Sequence, residues 1–196
     1  MNRVQPTDDE LRRLVEGCLR QDRRSQQRVY EMFFGKMLVL CMRYERDRDS
    51  AMDLVQEGFI KLFANMGKYK FDGSFEGWVR RIFVNNAIDS FRRKKHEFLV
   101  TEEDHVLARL SQEEDEIRVM EEEPEELNPQ DVLKAMQQLT PAYRMVFNLY
   151  VMENYQHKDI ADMLGINIGT SKSNLAKARI NIRRILKKDF AHKFPD

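Results

Sequence analysis

Residues 155–179 read YQHKDIADMLGINIGTSKSNLAKAR. Ile160, Ala161 and Leu164 recur at helical spacing, and Gly165 interrupts them. Only a few residues, Ile166 to Ile168, separate this run from a second helical one. A small residue at 161, then glycine four positions on, lets two helices cross closely around a tight turn. That is what a helix-turn-helix requires. Thr170 is placed to cap the second helix, which leaves Ser171, Lys172, Ser173 and Asn174 on its exposed first turns. Such side chains reach base edges or phosphates, and Lys177, Arg179, Arg183 and Arg184 add charge for the DNA backbone. From Lys158 to Lys188 there are eight Lys or Arg and two Asp, a net charge of +6. The alternative, an ordinary helical hairpin with a solvated basic face, explains neither the turn spacing nor that charge.

Working upstream, NPQDVLKAMQQL (128–139) and TPAYRMVFNLYVM (140–152) each open with a capping residue followed by proline at the first helical turn. A helical C-terminal piece thus spans 128–190. Before it the composition changes sharply. Residues 97–127 hold 13 Asp or Glu and two Arg, net −11, in a chain whose 33 basic and 33 acidic residues otherwise cancel. Like-charge runs of this kind stay solvated, so residues 96–127 read as an acidic linker between two basic pieces. Residues 1–95 read as four helices. Thr7 can cap the first, Ser25 starts the second, Asp49 or Ser50 caps the third, and Ser74 opens the fourth after the Asp72-Gly73 turn. The expected fold class is all-α: two helical domains joined by an acidic linker, the C-terminal one carrying a helix-turn-helix.

The fourth helix, WVRRIFVNNAIDSFRRKK, sets Arg80, Arg81, Arg92, Arg93, Lys94 and Lys95 against Asp89, net +5. Asn85 and Asn86 are mediocre helix formers in mid-helix and make better sense as partners for bases. Trp78 reads as core rather than as a stacking platform. On the third helix Asp53, Gln56, Glu57 and Lys61 share the face opposite Leu54, Val55 and Phe59, a face either merely solvated or used by a partner. Cys18 and Cys41 lie within apolar helical stripes and read as buried thiols rather than a redox pair. No metal-ligand spacing, glycine-rich phosphate loop or nucleophile motif occurs, and the four histidines are scattered. An enzyme, a metal and a cofactor are therefore not expected. The N-terminus has no apolar stretch after its charges, and no apolar run reaches the roughly 20 residues of a membrane span, so a cytoplasmic protein without membrane insertion is expected.

DLVQEGFIKLF (53–63), FEGWVRRIFVNNAIDSFRRKK (75–95) and LTPAYRMVFNLYVMENYQHKDIADMLGINIGTSKSNLAKAR (139–179), in that order, closely resemble the extracytoplasmic-function class of bacterial sigma factors. The resemblance covers nearly the whole chain except the acidic stretch and the last few residues. It implies an alternative sigma factor, monomeric when free, that binds core RNA polymerase and directs promoter recognition at transcription initiation. It implies that Asp53, Gln56, Glu57 and Lys61 dock on the clamp helices of the largest polymerase subunit. It implies that Phe71, Asp72, Ser74, Asn85 and Asn86 capture a flipped base of the minus-ten element, with Arg92 and Arg93 on the phosphates. Thr170, Ser171, Lys172, Ser173, Asn174, Lys177, Arg179 and Arg183 fall where the family reads the minus-thirty-five element. Members are often held by an anti-sigma factor, which here would cover Asp53 to Lys61. Ser171 stands where the family commonly has valine, and Asn174 where arginine is frequent. The acidic stretch could mimic RNA phosphates in the polymerase exit channel, mask the basic faces of the free protein, or serve as a soluble tether. The competing reading is a stand-alone helix-turn-helix regulator of the response-regulator kind, and the first domain lacks the alternating strands and helices of a receiver.

Overall fold

Thr7 and Glu10 close the start of α1 (Asp8–Leu19) reciprocally: the Glu10 N–H donates to Thr7 Oγ1 at 3.3 Å, and the Thr7 N–H donates to Glu10 Oε2 at 2.8 Å. The computed structural model describes residues 7–98 and 128–189, so the stretch read as an acidic linker lies largely outside the described residues. α2 (Arg23–Tyr44) begins two residues earlier than Ser25. Asp22 is the group that ends the turn, its Oδ2 accepting from the Ser25 N–H at 3.0 Å and from Ser25 Oγ at 2.7 Å. The approach is close enough that a Cβ on Gly17 would meet Ser25 Oγ at 2.1 Å. α3 (Arg48–Ala64) is likewise capped ahead of Asp49 and Ser50, by Asp47, whose Oδ1 accepts from the Ser50 N–H at 2.8 Å. After a single 3₁₀ turn at Met66–Lys68, α4 (Phe75–Phe98) opens at Ser74 as expected, Ser74 Oγ accepting from the Gly77 N–H at 3.2 Å.

The described residues fall into two compact units. One holds the residues up to Met42 together with Asp47–Ala87; the other holds Arg43–Arg46 and the residues from Ile88 onward. In the first unit Val15, Phe33, Met37, Val55, Phe59, Leu62, Val79 and Phe83 are buried. Phe83 meets Phe59 edge-on at 5.2 Å, and Gly58 makes room for its ring: a Cβ there would lie 2.4 Å from Phe83 Cε1. α3 and α4 can therefore approach only because residue 58 has no side chain.

In the second unit Asn128 Oδ1 accepts from the Gln130 and Asp131 N–H groups, and Pro129 occupies the first turn of α5 (Pro129–Gln138). α6 (Pro141–Phe147) runs into a π-helical turn at Asn148–Met152, then come α7 (His157–Leu164) and α8 (Ile168–Asp189). Ala135, Met136 and Leu139 of α5 pack with Ala178, Ile182 and Leu186 of α8. The architecture is all-α, with no strand among the described residues.

Candidate nucleic-acid interface

α7 ends at Gly165, whose φ of +61° is the left-handed conformation a side chain would oppose. The Ile166 N–H closes the turn on the Ala161 carbonyl at 3.1 Å. Asn167, not Thr170, starts the next helix: its Oδ1 accepts from the Thr170 N–H at 2.7 Å, and α8 is already helical from Ile168. Ser171 is 0 % exposed and faces the interior, so it cannot read DNA. Its Oγ instead hydrogen-bonds His157 Nδ1 on α7 at 2.9 Å. Lys172, Ser173, Arg179 and Arg183 are exposed, while Thr170, Asn174 and Lys177 are half-buried. The exposed set keeps the ammonium, hydroxyl and guanidinium groups that phosphates and base edges accept from.

His157 stacks on Tyr150 with ring centroids 4.4 Å apart, and the Arg179 guanidinium lies 6.0 Å from the Tyr150 centroid. Burial, then the cations Lys172 and Arg179, hold the His157 imidazole below its ordinary value. The unfolded chain therefore takes up this proton first as pH falls. His157 contributes its full stability above the unfolded value, near 6.5, and loses it as pH falls toward the folded value. Replacing His157 with Phe keeps a ring on Tyr150 but removes the titration. The thermal midpoint of His157→Phe should fall less steeply between neutral and mildly acid pH than that of the parent; equal slopes would remove His157 from the pH response.

In the first unit the segment between the 3₁₀ turn and α4 bends through residues 71–73, and the positive φ, +59°, falls on Phe71 rather than on Gly73. The Tyr69 hydroxyl donates to the Gly73 carbonyl at 2.7 Å and ties the bend together. Asp72 and Ser74 are exposed, Phe71 is half-buried, and Asn85, Arg92 and Arg93 are exposed on α4. Asn86 is not: it is 0 % exposed, and its Nδ2 donates to the Leu54 carbonyl at 3.0 Å. The expectation that both asparagines meet bases is thus corrected for Asn86, whose amide fastens α4 to α3. Trp78 is half-buried, against Tyr69 at 5.3 Å and Phe75 at 5.8 Å.

On α3 the side chains of Asp53, Gln56 and Glu57 are exposed and Lys61 is half-buried. Ile60 shares their face and is 70 % exposed, an apolar group that the sequence reading passed over. Its signal was an isoleucine one position off the buried stripe of Val55, Phe59 and Leu62. Neither Cys18 nor Cys41 is in a disulfide and both are buried; burial pushes the Cys18 thiol up to about 11, so it is no ready thiolate. Among the described residues no His, Cys, Asp or Glu group could hold a metal ion, and no helix is long and apolar enough to cross a membrane.

Comparison with known proteins fits this geometry. The profile described as Sigma-70 region 2 matches residues 29–97, and that described as Sigma-70, region 4 matches residues 130–182. The RNA polymerase sigma-H factor of Pseudomonas aeruginosa is 29 % identical over 195 residues, spanning 92 % of this chain and 95 % of that protein. The ECF RNA polymerase sigma factor SigE of Mycolicibacterium smegmatis is 30 % identical over 76 % of this chain and 56 % of its own length. Among solved structures, the sigma factor RpoE of Bartonella quintana, in complex with the anti-sigma factor NepR, aligns with a TM-score of 0.47 and 22 % identity over 82 % of this chain and 96 % of that one. The chain belongs to the sigma-70 family of RNA polymerase sigma factors, in its extracytoplasmic-function class. It is an alternative sigma factor that binds core RNA polymerase and directs promoter recognition for transcription initiation, not a stand-alone regulator.

Proposed function

We propose a division of this work among named residues. Asp53, Gln56, Glu57 and Ile60, with Lys61 at the edge, form the face of α3 that docks on core polymerase. Residues at i, i+3, i+4, i+7 and i+8 line one side of a helix, and these place an exposed apolar side chain among polar ones. Such a mixture of apolar anchor and polar rim suits a protein interface better than a DNA one. Phe71, Asp72 and Ser74, with Asn85, Arg92 and Arg93, engage the minus-ten element. Thr170, Lys172, Ser173, Asn174, Lys177, Arg179 and Arg183 engage the minus-thirty-five element. The domains run 1–95 and 128–190, with an acidic linker of 96–127 between them.

The protein works in the cytoplasm as a non-catalytic subunit. An anti-sigma factor, the kind of inhibitor the family resemblance implies, would compete with polymerase at the α3 face. The exposure of Ile60 on an otherwise polar helix face is the observation that carries the docking assignment. Its test is co-elution of purified protein with bacterial core enzyme. Gln56→Ala/Glu57→Ala should weaken co-elution strongly while leaving thermal stability near that of the parent, since both positions are solvent-facing. Undiminished co-elution would move the docking face elsewhere.

A further inference from the structure

The bend assigned above to minus-ten reading is held by a helix outside the region 2 match. That match begins at residue 29, whereas α1 spans Asp8–Leu19. Arg12 of α1 sets its guanidinium carbon 4.5 Å from the Phe71 ring centroid, within the range of a cation–π contact. Phe71 also meets the Tyr69 ring at 4.8 Å, and the Tyr69 hydroxyl is itself bonded to the Gly73 carbonyl. Phe71 therefore has two partners, Arg12 and Tyr69. It needs them, because at φ +59° a residue with a side chain persists only where its surroundings hold it. Arg12, Phe71 and Ser74 also line one cavity of about 600 Å³, together with Arg28, Lys36 and Phe75. A change at Arg12 is thus felt both by the backbone of the bend and by the space it borders.

We propose that Arg12 is a positioning residue for minus-ten recognition: its contact with the Phe71 ring fixes the Phe71–Ser74 bend in the conformation that receives DNA. The proposal rests on the minus-ten assignment above, and adds that the N-terminal helix is part of the recognition device. Arg12 would act through Phe71 rather than by touching a base. A direct phosphate contact is the rival role for an exposed arginine, and the two roles leave different signatures.

The experiment uses full-length protein with core polymerase and forked promoter DNA, comparing the consensus minus-ten sequence with each single-base change. Arg12→Ala should reduce discrimination among minus-ten bases roughly two- to fivefold, the scale of one exposed cation–π contact. Arg12→Lys, which keeps a cation over the ring, should recover most of it. Phe71→Leu, which keeps apolar bulk but no π face, should cost at least as much as Arg12→Ala because Phe71 also faces the element, and the double variant should be no worse than Phe71→Leu alone. Multiplying losses in the double variant would overturn the proposal. So would an equal weakening on every sequence with the salt slope reduced by about one unit, which marks a phosphate contact. Asp72→Ala/Ser74→Ala serves as the separate check on the underlying assignment. If that pair leaves base discrimination unchanged, the bend does not read the minus-ten element and the proposal falls with it. If the pair impairs discrimination while Arg12→Ala does not, only the clamp is wrong.

Discussion

Phe83→Ala should lower the unfolding free energy by about 3–5 kcal/mol, the range for truncating a buried aromatic side chain. Phe83 is 0 % exposed, packed edge-on against Phe59 and directly over Gly58. The size of the loss depends on whether neighbours can move into the space, and here they are poorly placed to do so. Gly58 has no side chain to swing inward. One turn further along α4, the hydrogen bond from Asn86 to the Leu54 carbonyl fixes the spacing of α3 and α4. The cavity should stay open, which places the cost toward the upper end of that range. For a protein with a typical total of about 5–15 kcal/mol, a loss of about 3–5 kcal/mol is a fifth of its stability or more. Denaturant midpoints of the parent, Phe83→Leu and Phe83→Ala should fall in that order. A loss under about 1 kcal/mol for the alanine variant would mean that α3 and α4 collapse together, so that Gly58 does not set their separation. Polymerase co-elution at raised temperature should fail first for Phe83→Ala, because α3 carries the proposed docking face.

Much of this architecture is visible in the periodicity of the chain. Ile160, Ala161 and Leu164 ahead of Gly165 point to two crossed helices, and the glycine does adopt the left-handed turn. Helix starts were less legible, since several hydroxyls and carboxylates lie within three residues of each other. Asp22, Asp47 and Asn167 act where Ser25, Asp49 or Ser50, and Thr170 were expected. The misplaced site residues had a readable signal. Asn86 follows Val79 and Phe83 at the spacing of a buried stripe, and Ser171 precedes Leu175, Ala178 and Ile182 at the same spacing. Their polarity suggested solvent, whereas each found a partner within the fold, the buried Leu54 carbonyl and the half-buried His157 respectively. The contact of Arg12 with Phe71 had no local signal at all. It depends on how α1 packs beside a bend distant in sequence, which no periodicity within either segment encodes.

Ala178→Asp is expected to separate the two reading functions. Ala178 is 0 % exposed in the small core formed with Ala135, Met136, Leu139, Ile182 and Leu186. None of those five side chains can donate a hydrogen bond or offer a positive charge. A carboxylate introduced among them would be buried without compensation, at a cost of about 3–5 kcal/mol, or would take up a proton and still need a partner. Ala178→Ser, with a hydroxyl that can turn back to the α8 backbone, should cost much less. The damage should be confined to the helix-turn-helix, because the α3 face and the Phe71 bend draw on a different core. Ala178→Asp should therefore retain co-elution with core polymerase while losing transcription from promoters that depend on the minus-thirty-five element. Loss of polymerase binding in the same variant would show that the two cores do not stand apart energetically. Normal minus-thirty-five use would show that α8 tolerates the charge by shifting, and that its packing against α5 is not what presents Lys172 and Ser173 to DNA.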